Sequence, residues 1–194
     1  MKSNTGRWMT GLLGVWIGVL MVVGCGQPTD ESGEQALMGA PLWAAQSRVR
    51  LAAGGSHSLS LRPDGTVWAV GANGLGQLGD GTTSNHSAPV QVQGLSGVVA
   101  VAAGSSHSFE VRSDSTVWAW GDNSHGQLGD GTTSNRSVPV QVQGLSGVVA
   151  VAAGSHHSLA VRSDGTVWAW GYNSDGQLGN GAALSTTTAI RSLL

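Results

Sequence analysis

The chain repeats itself every fifty residues, and that period constrains its fold more than any other feature. His57, His107 and His157 stand 50 apart (107 − 57 and 157 − 107), as do Trp68, Trp118 and Trp168, and Asp64, Asp114 and Asp164. Residues 89–105 (PVQVQGLSGVVAVAAGS) recur letter for letter at 139–155. A period of this size means units that stack on one another to bury a shared core. The units run over about 48–97, 98–147 and 148–194, the third shorter than the others.

Each unit reads as four short strands. In the second they fall at Val98–Ala103, His107–Arg112, Thr116–Trp120 and Pro139–Val142. The first is small and apolar enough to be buried on both faces. The fourth opens on proline, where no ladder N–H is needed. Between the second and third strands, Pro-Asp-Gly, Ser-Asp-Ser and Ser-Asp-Gly mark a hairpin turn with positive φ at its last residue. Ser115 holds that place in unit two, at a cost of about 1–2 kcal/mol if the backbone is unchanged. In unit three, Ala182–Leu194 lacks the Pro-Val-Gln-Val segment, but the period puts Ile190 where Val140 stands, so a weakened fourth strand is expected. Four strands per unit, repeated radially, describe an all-β fold of about three four-stranded antiparallel propeller blades.

Leu51–Leu61 (LAAGGSHSLSL), Val101–Val111 and Val151–Val161 resemble the repeat motif of the regulator of chromosome condensation family. Val67–Gly71, Val117–Gly121 and Val167–Gly171 fit its companion strand, each followed by Gly-Gln-Leu-Gly. The resemblance spans about residues 48–190 and implies a β-propeller acting through protein contacts. Family members usually close a ring of seven blades, whereas this chain carries about three, which leaves two open edges. Association of copies to close a ring, a truncated remnant and an open wedge are the alternatives; the first two are favoured over a stable monomer.

None of the motifs reads as catalytic. His57, His107 and His157 precede Ser58, Ser108 and Ser158, but a nucleophilic triad is a single convergent site, and this pair recurs in every unit. A hydrogen bond within each blade is the expected role, and a zinc site shared by the three is disfavoured. Gly74–Gly79 fits G-x-G-x-x-G, yet no helix follows to bind a pyrophosphate. Asp122–Gly126 lacks the distal acid of a calcium loop. Asp64, Asp80, Asp114, Asp130 and Asp164 are repeat-turn acids, not a paired catalytic set. The tryptophans, Trp68, Trp118 and Trp168 with Trp120 and Trp170, are expected to pack between blades. No cofactor and no metal are expected.

Binding specificity is expected where the units differ, with neutral drift at exposed sites as the alternative. Ala72, Asp122 and Tyr172 share one repeat position, Leu75, His125 and Asp175 a second, and His86 and Arg136 a third. All three are assigned to loops after the tryptophan strand, where a rigid scaffold normally carries recognition. The expected partner is a protein or a glycan.

The first residues suggest export. Lys2 and Arg7 precede an apolar run, Trp8–Val23, shorter than the roughly 20 residues of a membrane-spanning helix, which fits a secretory signal with an uncleaved membrane anchor as the alternative. Val22-Val23-Gly24-Cys25 resembles a bacterial lipobox, which implies cleavage of residues 1–24 and lipid on Cys25. Gly26 after the cysteine, rather than aspartate, points to the outer membrane or cell surface of a bacterial envelope. Residues 25–47 then form a Pro/Gly/Ser-containing tether. Nine basic side chains less Lys2 and Arg7 leave seven against eleven acids, a balance of −4, and the arginines do not cluster. This excludes the basic face that nucleic acid requires. The reading is a lipid-anchored, non-catalytic binding module. A propeller remnant without independent function is the alternative, and an enzyme on a propeller scaffold ranks below both.

Overall fold

A computed structural model describes residues 50–194; the expected signal segment, Cys25 and the expected tether lie outside the described residues. The described residues are all-β, twelve strands in three four-stranded antiparallel sheets. Blade 1 holds β1 (Leu51–Ala53), β2 (His57–Leu61), β3 (Val67–Gly71) and β4 (His86–Gln91). Blade 2 holds β5 (Val98–Ala103), β6 (His107–Arg112), β7 (Val117–Gly121) and β8 (Arg136–Gln141). Blade 3 holds β9 (Val148–Ala153), β10 (His157–Arg162), β11 (Val167–Gly171) and β12 (Thr186–Arg191). Within each sheet the strands lie in sequence order, each pairing with its neighbour in the chain.

The strand boundaries depart from the sequence reading in two places. The third strand begins one residue later, at Val117, because Thr116 is held in the hairpin turn: its backbone N and its hydroxyl both donate to the Asp114 carboxylate. The fourth strand runs over Arg136–Gln141, so Pro139 lies inside it rather than at its start. Proline is tolerated there because the strand is outermost and its register slips between Ala119 and Gly121. The expected weak strand around Ile190 is a complete six-residue strand, with Ala169 facing Ile190 as Ala119 faces Val140. Nor is the first strand buried on both faces throughout: in β5 only Val98 and Val101 are fully buried.

The core lies between the blades. Leu59, Leu61, Val67, Ala69 and Leu78 of blade 1 meet Val98, Val101 and Trp120 of blade 2 in one cluster. Phe109, Val111, Val117, Ala119 and Leu128 of blade 2 meet Val148, Ala160 and Trp170 of blade 3 in another. Each blade therefore has a trailing face, which the next blade covers, and a leading face, which covers the blade before. The inner loops approach until no side chain fits: a Cβ on Gly54 would stand 2.6 Å from the Gly104 carbonyl oxygen and 2.3 Å from the His57 ring.

Ser115 keeps the turn its two glycine counterparts make. Its φ is 63°, beside 81° at Gly65 and 80° at Gly165, and its N–H donates to the Arg112 carbonyl as theirs do to Arg62 and Arg162. Ser115→Gly is expected to stabilise the chain by about 1 kcal/mol, a rise of several degrees in melting temperature. An unchanged or lowered melting point would contradict the strain at this turn.

Candidate functional site at the junction of the second and third blades

The repeated histidines are joints between blades, not within them. His57 Nε2 lies 2.8 Å from Ser108 Oγ, and His107 Nε2 lies 3.3 Å from Ser158 Oγ. Ser108 Oγ in turn donates to the Gln77 carbonyl at 2.8 Å, and Ser158 Oγ to that of Gln127 at 2.8 Å. A hydroxyl has one proton to give, so the serine accepts from the ring and each imidazole is the Nε2–H tautomer. The Nδ1 atoms of both rings are buried without a hydrogen-bond partner. Burial pushes His57 down to about 4 and His107 down to about 3, which keeps both neutral. The expected within-blade bond is thus corrected: a histidine side chain reaches past its own sheet, toward the trailing side, to the next.

The tryptophans divide into two roles. Trp120 and Trp170 are fully buried between blades and donate Nε1–H to the same Gln77 and Gln127 carbonyls, at 2.9 and 2.8 Å. Trp68, Trp118 and Trp168 are only half-buried. Their Nε1 atoms donate to Thr66, Thr116 and Thr166, and the guanidinium groups of Arg62 and Arg112 stack on the first two rings at 3.7 and 3.9 Å. Fully buried packing between blades therefore belongs to the second tryptophan of the strand, and of the first only Trp168 packs against a core cluster.

The third variable position is also structural. His86 and Arg136 do not lie in loops; they are the first residues of β4 and β8. His86 Nε2 meets Asp80 Oδ2 at 3.0 Å, and Arg136 meets Asp130 at 2.8 Å. Burial works to raise the Asp130 carboxyl, but hydrogen bonds from Thr132, Arg136 and Asn123 outweigh it and hold the group low.

The first two positions converge. Tyr172 N donates to the His156 carbonyl at 2.9 Å, which sets these residues side by side where blade 3 meets the 121–129 loop. The His125 ring lies 5.2 Å from that of His156 and 4.9 Å from that of Tyr172. Beneath them Asp122 is 6% exposed, bonded by Gln127 Nε2 at 2.7 Å and by the backbone N of Ser124, with His156 Nδ1 3.8 Å from its carboxylate. The same place at the first junction holds Leu75, Ser106 and Asp122 in the roles of His125, His156 and Tyr172. Ala72 and Leu75 belong to that plainer junction, and Asp175 is exposed on the loop after Tyr172, its N–H bonded to Gln177 Oε1. His156 was not singled out from the sequence, although its departure from Ser56 and Ser106 was visible there. Among the described residues no group of three His, Cys, Asp or Glu stands in metal-binding arrangement.

Comparison with known proteins places the fold. The regulator of chromosome condensation (RCC1) repeat matches residues 64–111 and 114–161, and a second description of it matches 49–77, 98–127 and 148–177. The chain belongs to the RCC1 repeat family. The structure of human WBSCR16 is similar, with a TM-score of 0.67 and 30% identity over 74% of this chain and 37% of that one. Prp20p from Saccharomyces cerevisiae gives 0.67 at 24% identity, over 75% and 38% of the two chains. Yeast RCC1 (Prp20) bound by Kap60 gives 0.62 at 24%, over 75% and 37%. The chain spans less than two-fifths of these relatives. No curated protein sequence matches it.

One RCC1-type blade here carries a buried acid. Glu110 is fully buried where the other blades hold Ser60 and Ala160; its Oε1 accepts from Arg112 at 2.8 Å while Oε2 has no partner. Burial pushes the carboxyl up to about 7 against the pull of Arg112. Two opposed pH effects follow. His57 and His107 stay neutral when folded but protonate near 6.5 when unfolded, so stability falls as pH drops from 6.5 toward 4 and 3. Glu110 binds its proton more tightly when folded, so its contribution is full below 4.5 and is lost as pH rises to about 7. Two imidazoles outweigh one carboxyl, and the melting temperature is expected to fall on acidification below about pH 6.5. Over pH 4.5 to 7.5 the stability difference between parent and Glu110→Gln should move steadily in favour of the variant; a flat difference would contradict the buried, proton-binding carboxyl.

Proposed function

We propose that this chain is an exported, lipid-anchored module of the bacterial envelope that binds a protein through the rim where blades 2 and 3 meet, without catalysis. One observation carries the reading: in a chain of near-identical units, His125, His156 and Tyr172 each depart from the equivalent residues and gather at one junction. Glu110 and Arg136, which also depart from the repeat, are engaged by Arg112 and Asp130, whereas these three rings face one another at the rim. Tyrosine offers broad contact area at low entropic cost, and the imidazoles offer both donors and acceptors. Asp122 beneath them is already engaged by Gln127, so its role is to fix the loop rather than meet the partner. A protein is favoured over a glycan because the similar structures include Prp20p, described with its binding to Gsp1p and histones, and yeast RCC1 bound by Kap60.

The anchor is read from Val22–Cys25, and Cys25→Ser should abolish incorporation of labelled fatty acid and release the protein from washed membranes. Retention of label in the variant would exclude that anchor. For the rim, a photo-cross-linking residue at Tyr172 should give a discrete adduct in intact cells, and the same residue at Ala72 should not. His125→Ala with His156→Ala should remove the adduct. Equal yields from both positions, or an adduct indifferent to the histidines, would contradict a site at this junction.

A further inference from the structure

Blade 3 presents, uncovered by any described residue, the trailing face that blades 1 and 2 bury. Val161 is 36% exposed where Val111 is 2% and Leu61 is 8%. His157 is half-buried and makes no side-chain hydrogen bond among the described residues, while His57 and His107 are 3% and 0% exposed. At the other end, Leu51 is 72% exposed where Val101, its equivalent, is 2%. Ser58 is exposed where Ser108 and Ser158 are fully buried in joints. The two faces are complementary by construction, because the same pairing is made twice inside the chain: histidine to serine, and valine or leucine into the preceding apolar face.

We propose that these faces dock on each other between copies, blade 3 of one chain receiving blade 1 of the next. His157 then donates to the Ser58 hydroxyl of the second copy, Ser58 donates to the Gln177 carbonyl, and Leu51 enters the surface formed by Leu159 and Val161, above the buried Leu178. The contact is heterologous, the socket of blade 3 on one copy meeting the plug of blade 1 on the next, and builds a ring or an open row. It is weaker than the internal joints, because Val70 stands where Trp120 and Trp170 supply the indole.

The test is the oligomeric state of the full chain in detergent, by sedimentation or light scattering, with circular dichroism to establish folding. The parent should associate reversibly. Leu51→Arg, which breaks the plug, and Val161→Arg, which breaks the socket, should each be folded and monomeric. Mixed in equal amounts they should form dimers and nothing larger, since one retains a socket and the other a plug. Val70→Trp should tighten association about tenfold by restoring an indole donor. A parent that stays monomeric, or single variants that still associate, or a mixture that does not pair, would each overturn the proposal. In the first of these the rim site at the second junction is untouched, since cross-linking at Tyr172 reads it independently.

Discussion

The carbonyl of Gln77 accepts two hydrogen bonds from the following blade, one from Ser108 Oγ and one from Trp120 Nε1, and Gln127 repeats the arrangement with Ser158 and Trp170. A buried carbonyl left unpaired would cost about 1–3 kcal/mol, so each junction is committed to this geometry. Around it the rest falls into place. The histidine of the earlier blade donates to the serine, Leu78 and Leu128 fill the space beneath, and Gly79 and Gly129 leave room for the indole, whose Nε1 would stand 2.8 or 2.9 Å from a Cβ there. The Asn73 and Asn123 side chains hold the loop that carries the carbonyl, accepting from the backbone of Leu78 and Leu128. Stability in such a stack is a sum of units and of junctions between nearest neighbours.

That economy explains where function can reside. The donors and acceptors that close the junction are not free to vary, whereas the loop ends above it are. Asp122 shows both conditions in one residue: it fixes its own loop through Gln127 and Ser124, and it underlies the imidazole of the next blade. His125, His156 and Tyr172 then stand on a scaffold already held by backbone bonds such as Tyr172 N to the His156 carbonyl. The backbone of the rim is fixed in this way, so its loops have little freedom left to lose on binding.

Much of the fold was legible because the period is long and nearly perfect. Twelve strands, the turn at Ser115 and the strand around Ile190 follow from aligning the units. The direction in which side chains cross was not legible: repetition shows that His57 and Ser58 recur, but only the packing of sheets shows that His57 serves Ser108, in the next blade, rather than a group in its own. The outer strand was misplaced at Pro139 because a register slip on an edge strand leaves no trace in composition. Of the candidate rim, Asp122, His125 and Tyr172 could be picked out by difference between units, while His86 and Arg136 turned out to serve Asp80 and Asp130. His156 and Glu110 were equally visible as departures from the repeat, yet a histidine beside a histidine and an acid within a strand carry no motif to draw attention.

Neutral imidazoles that donate through Nε2 join one blade to the next, and long-range proton–nitrogen NMR of the histidine rings reads that directly. At pH 5, where a free imidazole is largely protonated, His57 and His107 should remain neutral, with a slowly exchanging proton on Nε2 and a bare Nδ1. Rings that titrate near 6.5, or that carry the proton on Nδ1, would mean that the blades are not joined as described.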